Sequence, residues 1–211
     1  MNAHTQSFSL QGKAGSLECK LDLPMQDALL GIALIAHPHP LYGGSMDNKV
    51  VQTLARAFVT LGYACARMNF RGVGESAGTH DHGIGETDDM ALLHAHMTKT
   101  YPDVPVAMAG FSFGTFVLSR LHQQLAGQGK PSERLVLVGC AAGKWAIAPV
   151  PANTLLIHGE LDETIPLSDV FEWARPQDLP VVVIPGADHF FHRKLHHIKQ
   201  QVIAAWSAQW Y

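Results

Sequence analysis

Six short apolar runs punctuate the chain: GIALIAH (Gly31–His37), ACARMNF (Ala64–Phe70), VAMAGF (Val106–Phe111), LVLVG (Leu135–Gly139), TLLIHG (Thr154–Gly159) and VVVIPG (Val181–Gly186). Each is nearly continuous in apolar character, as strands buried on both faces are. Ser7–Gln11 and Ser16–Leu23 instead alternate apolar and polar residues, which predicts a half-exposed edge pair. Helical periodicity fills most of the gaps. Asn48–Leu61 places Val50, Val51, Leu54, Ala57, Phe58 and Leu61 on one face, with Asp47 the expected N-cap and Gly62 the stop. Glu86–Thr100 opens on the acidic ETDD, suited to a helix N-terminus. Thr115–Ala126, Ser168–Ala174 and the amphipathic Arg193–Trp210 complete the set. Strands alternating with helices predict an α/β class with a mainly parallel central sheet of about eight strands. Only Cys140–Asn153 separates two of the runs, too little for a sizeable cap domain. Without repeats or low-complexity linkers, residues 1–211 read as a single domain.

Composition removes several function classes. Hydrophobic residues make up 47% and the formal net charge is -3, so a large core is available and no basic cluster invites nucleic acid. The longest apolar run, Leu29–Ala36, is too short to span a membrane. The first ten residues, MNAHTQSFSL, have neither the charged nor the apolar region of a secretory signal. Cys19, Cys65 and Cys140 are scattered, with no CxxC pair, which fits a reducing, cytoplasmic compartment. The 13 histidines show no zinc spacing, so no metal is expected.

Chemistry enters at GFSFG (Gly110–Gly114), directly after an apolar run and before a helical stretch. It matches G-x-S-x-G, in which the serine sits on a tight strand-to-helix bend that leaves room only for glycine at the flanks. Ser112 is therefore the candidate nucleophile. A serine hydroxyl needs a base, and the base needs a carboxylate to orient it. Such groups belong at the C-terminal ends of the strands. Asp162 in HGELDETIP and His189 in PGADHFF each lie three residues past the glycine that closes an apolar run. Asp188 is the alternative carboxylate, although a neighbour in sequence reaches Nδ1 of His189 with difficulty. His192, His196 and His197 read as surface residues, and His158 as a support of the acid loop. The N–H of Phe113, next after the nucleophile, is the first expected oxyanion donor. The second should come from HPHPL (His37–Leu41), where proline lacks an N–H and His39 and Leu41 remain. Arg71 reads as a stitch between loops. Glu86, Asp88 and Asp89 are explained by a helix N-terminus rather than by a paired-carboxylate site.

These segments resemble the α/β-hydrolases over nearly the whole chain. GFSFG, HGELDETIP and GADHFF stand where that family has its nucleophile elbow, acid loop and histidine loop, in the order Ser…Asp…His. NFRGVGES (Asn69–Ser76) is similar to the family's arginine-glycine turn. HPHPLYGGSMDNKVV (His37–Val51) resembles small, lidless bacterial hydrolases distantly similar to dienelactone hydrolases, which carry cysteine at the elbow where this chain has Ser112. The resemblance implies an α/β-hydrolase fold and a second oxyanion donor at His39, with Leu41 kept open by the extra proline. It implies a serine hydrolase acting on small or modest acyl esters through an acyl-enzyme, with no cofactor and a small-molecule ester as partner. A thioesterase or peptidase on the same three residues, or a non-catalytic binding protein of this fold, is the alternative. The aromatic terminus AAWSAQWY (Ala204–Tyr211) suits packing on the body or a dimer surface, and no oligomeric state is assigned.

Overall fold

The structure is a computed structural model that describes residues 5–26 and 28–207. The edge pair forms as expected: β1 (Thr5–Gly12) and β2 (Gly15–Asp22) are antiparallel. The apolar runs become β3 (Gly31–Ala36), β4 (Tyr63–Met68), β5 (Val106–Phe111), β6 (Arg134–Val138), β7 (Leu155–Gly159) and β8 (Val181–Ile184). One eight-stranded sheet results, in the order β1-β2-β4-β3-β5-β6-β7-β8. Only the β1–β2 and β2–β4 pairings are antiparallel; the rest are parallel.

Side-chain alternation along the strands divides the core in two. Ala33 and Ile35 of β3 face α1 (Lys49–Thr60) and α5 (Leu195–Ser207), whose Leu54, Phe58, Ile198 and Val202 are buried there. Ile32, Leu34 and Ala36 face the other side, covered by α2 (Ile84–Thr100), α3 (Phe113–Gly127) and α4 (Leu167–Ala174). Helices on both faces explain why the central strands are apolar throughout. The connection from β6 to β7 contains no helix or strand, so nothing is inserted there as a cap.

Three expectations about helix ends are corrected. Asp47 does not cap α1. Its carboxylate is drawn to Lys20 Nζ and Arg67 Nη1, at 2.8 and 3.3 Å, and Asn48 caps instead, accepting from the Val50 N–H at 2.8 Å. Helix α2 starts at Ile84 rather than Glu86, because Glu86 reaches back to accept from the N–H groups of Gly83 and Asp81, both at 2.8 Å. Helix α3 starts at Phe113, directly after the serine. At the other end of the chain, Trp206 packs on Phe58 and donates to the Tyr63 hydroxyl at 3.0 Å. Residues 208–211, and with them the rest of the aromatic terminus, lie outside the described residues. Among the described residues no helix is long and apolar enough to cross a membrane.

Candidate active site

Ser112 alone separates β5 from α3. Its backbone has φ 54° and ψ -122°, a region that costs a non-glycine residue about 1–3 kcal/mol. The fold holds it there with three hydrogen bonds. Its N–H donates to the Val138 carbonyl of β6, and its carbonyl accepts from the Thr115 N–H and hydroxyl. The flanking glycines permit the bend. A β-carbon at Gly110 would stand 2.7 Å from the Gly114 carbonyl, and one at Gly114 would stand 2.5 Å from the Ala36 oxygen. Bare backbone at these two places lets α3 begin directly against the end of β3.

The next two groups arrive from β7 and β8. Gly159, which ends β7, would drive a β-carbon to 2.5 Å from the Ala187 oxygen; without one, the loop after β8 crosses over it. The Leu161 N–H then donates to the Ala187 carbonyl at 2.8 Å. His189 is thereby brought between Ser112 and Asp162. Its Nε2 lies 3.1 Å from Ser112 Oγ and its Nδ1 2.7 Å from Asp162 Oδ2. The other oxygen of Asp162 accepts from the Thr164 and Ile165 N–H groups at 2.9 and 2.7 Å. Oδ2 of Asp162 is thus aimed at Nδ1 of His189, and the tautomer with Nδ1–H donating to it turns Nε2 to the serine as an acceptor. His158 closes the loop from below. Its Nε2 donates to the Ile165 carbonyl at 2.9 Å and stands 3.3 Å from Asp162 Oδ2, while burial pushes its pKa below the usual histidine value.

Asp188 points elsewhere and pairs with His192 at 2.5 Å. His192 lies before α5 rather than in it, and His196 and His197 occupy that helix's first turn. None of these groups joins Ser112.

The two candidates for second donor differ. The Leu41 N–H is already given to His39 Nδ1 at 3.2 Å, and its side chain is exposed. Neither the His39 N–H nor that of Phe113 meets an acceptor among the described residues. The rings of His39 and Phe113 lie 4.8 Å apart.

A family model described as serine aminopeptidase, S33, matches residues 41–178. This chain belongs to that family. It carries the α/β-hydrolase fold. A crystal structure of XC6422 from Xanthomonas campestris, described as an α/β serine hydrolase without lid, is 35% identical. It superposes with a TM-score of 0.89 over 97% of this chain and 94% of its own. A serine hydrolase homologue from Coxiella burnetii is 32% identical, with a TM-score of 0.81 over 97% of both chains. The uncharacterised protein RP471 of Rickettsia prowazekii (strain Madrid E) is 30% identical over 186 residues, covering 81% of this chain and 76% of that protein.

Arg71 ties the loop after β4 to helix α2 rather than loop to loop. Its guanidinium is held by both oxygens of Asp89, at 2.7 and 2.8 Å, and donates to the Gly85 carbonyl. Sequence reasoning missed an aromatic wall beside the serine. The His39 ring packs against Tyr42, His80, Phe113 and Trp145, and Trp145 packs on Phe113 and Phe116. Trp145 lies in the short β6–β7 connection, where no periodicity marks a role. His37 was missed as well. It extends β3's apolar run, is fully buried, and its pKa is pushed down to about 4 by burial.

Proposed function

We propose that residues 1–211 act as a single-domain serine hydrolase of small or modest carboxylic esters, with no cofactor. What carries this reading is the chain of contacts from Ser112 Oγ through His189 to Asp162, on a bend whose backbone is held strained. Ser112 Oγ attacks the acyl carbonyl while His189 Nε2 takes its proton. Asp162 keeps the imidazole in the required tautomer and stabilises its charged form. The Phe113 and His39 N–H groups receive the oxyanion, each worth roughly two to three orders of magnitude in rate. His189 then protonates the leaving alcohol, and the acyl-enzyme forms. Water, deprotonated by His189, attacks it, and the acid leaves with Ser112 regenerated.

Ester chemistry is favoured by the surroundings. Exposed Leu41, Tyr42, Ile84, Leu161 and Phe190 all follow the C-terminal ends of parallel strands, the end of the sheet that carries Ser112. Exposed apolar side chains at that end suit an apolar acyl or alcohol group. The family description names an aminopeptidase, which is the second reading. An aminopeptidase needs a free carboxylate for the substrate's ammonium group. Around the site Asp162 is engaged by His189, Asp188 by His192, Glu160 by the Gly186 N–H and Glu86 by the Asp81 and Gly83 N–H groups, while Glu163 is exposed. A cytoplasmic location is supported by three free, buried thiols.

The test is intact mass after exposure to a fluorophosphonate, followed by a panel of p-nitrophenyl esters, thioesters and aminoacyl arylamides. One adduct is expected on the wild type, none on Ser112→Ala and a much slower one on His189→Ala. An inert, folded wild type would sink the mechanism and leave a binding protein of this fold.

A further inference from the structure

The ring of His37 is fixed on both edges. The Phe70 N–H donates to Nε2 at 2.9 Å, so that nitrogen is bare and the proton of the neutral ring sits on Nδ1. Nδ1 lies 2.6 Å from the Pro38 carbonyl oxygen and donates to it. The ring is fully buried and packs 4.2 Å from the Phe70 ring. Phe70 follows β4, which flanks β3 on the side away from β5 and Ser112.

This arrangement sets the next peptide plane. No cis peptide occurs among the described residues, and in a trans peptide the C=O and N–H point in opposite directions. With the Pro38 carbonyl turned to the His37 ring, the His39 N–H is turned away from it. The far side of His39 is held too: its carbonyl accepts from the Tyr42 and Gly44 N–H groups, both at 3.1 Å. Pro38 adds a fixed φ.

We propose that His37 is a positioning residue for the second oxyanion donor: its Nδ1–H holds the Pro38 carbonyl so that the His39 N–H faces the acyl oxygen during reaction at Ser112. The inference rests on the serine-hydrolase reading. It gives a catalytic consequence to a histidine that otherwise serves only as a satisfied polar group in the core.

Two variants separate the ring's two bonds. His37→Asn places an amide N–H near the position of Nδ1 and keeps the hold on Pro38. His37→Gln places an amide oxygen near the position of Nε2, keeping the Phe70 bond and losing the hold. On a p-nitrophenyl ester, His37→Gln is expected to lower kcat by about 10²–10³ with KM changed less than about threefold. His37→Asn should retain more of kcat than His37→Gln. The Ki of an aryl trifluoromethyl ketone, whose adduct carries the oxyanion, should rise in parallel with the fall in kcat. A folded His37→Gln with kcat within about threefold of wild type overturns the proposal while leaving the serine-hydrolase reading intact. A wild type inert to ester and fluorophosphonate overturns both. Should neither variant fold, the ¹⁵N spectrum of the wild-type histidines decides: an Nδ1–H tautomer at His37 supports the hold, and an Nε2–H tautomer overturns it.

Discussion

The Leu161 N–H donates to the Ala187 carbonyl, and this bond ties the loop that carries Asp162 to the loop that carries His189. The two loops meet over Gly159, where a β-carbon would stand 2.5 Å from the Ala187 oxygen and 2.8 Å from that of Asp188. Both obstacles are backbone, so neither can swing aside. Gly159→Ala is therefore expected to displace the histidine loop. Overpacking of this kind costs about 1–3 kcal/mol, read as a lower urea midpoint. A shift of about 1 Å at His189 should also cut kcat by about 10²-fold. An unchanged midpoint and rate would show that the loops yield more easily than this contact implies.

Asp162 and Asp188 are both close to His189 in sequence or space, but only Asp162 meets its Nδ1. Asp162→Asn keeps the shape and replaces the acceptor, so the imidazole loses its tautomer preference. By analogy with triads elsewhere, kcat should fall by about 10⁴-fold. Asp188→Asn weakens the bonds of that carboxylate to the exposed His192 and to the Phe190 backbone and should leave kcat within about threefold. Steady-state rates of the two variants on one ester decide the assignment; equal losses would contradict it.

Acid should weaken the fold through its buried histidines. Burial depresses His37 to about 4, and lowers His94, His122 and His158. The unfolded chain takes up these protons near pH 6.5, whereas the folded chain still refuses them. Between about pH 6.5 and 4 the unfolded state binds more protons, so stability falls as pH falls. His37 alone contributes a loss on the order of 3 kcal/mol across that window. Urea midpoints measured from pH 7.5 to 4.5 should drop steadily for the wild type and less steeply for His37→Asn. Parallel slopes would mean that His37 is protonated in the native state well above pH 4.

Much of this architecture is legible in the sequence because the sheet is covered on both faces, so every central strand needs a continuous apolar run. The glycine-flanked serine is legible for a steric reason: Gly110 and Gly114 each face backbone at under 3 Å. Asp162 and His189 follow from their place just past strand ends. Side-chain competition is harder to read. Asp47 is a good cap by type, yet Lys20 and Arg67 claim it from strands distant in sequence. His37 and Trp145 act through neighbours that only the folded chain supplies, the Phe70 N–H in one case and the rings of Phe113 and Phe116 in the other. No local pattern encodes such partners.

The N–H proposed as the second oxyanion donor can be removed without bending the loop. His39 has φ -55° and ψ 124°, values that proline adopts freely. His39→Pro therefore deletes the N–H while preserving the backbone path, and His39→Ala deletes the ring while preserving the N–H. If the backbone group is the donor, His39→Pro should lose about 10²–10³ in kcat, whereas His39→Ala should stay within about tenfold. The ring contributes packing against Phe113 and Trp145 and the acceptor for the Leu41 N–H, so its loss should act more on KM. Leu41→Pro gives the complementary control, since its N–H is spent on the His39 ring and not on the site. A Leu41→Pro variant as impaired in kcat as His39→Pro would transfer the donor to Leu41 and remove the basis for the His37 hold.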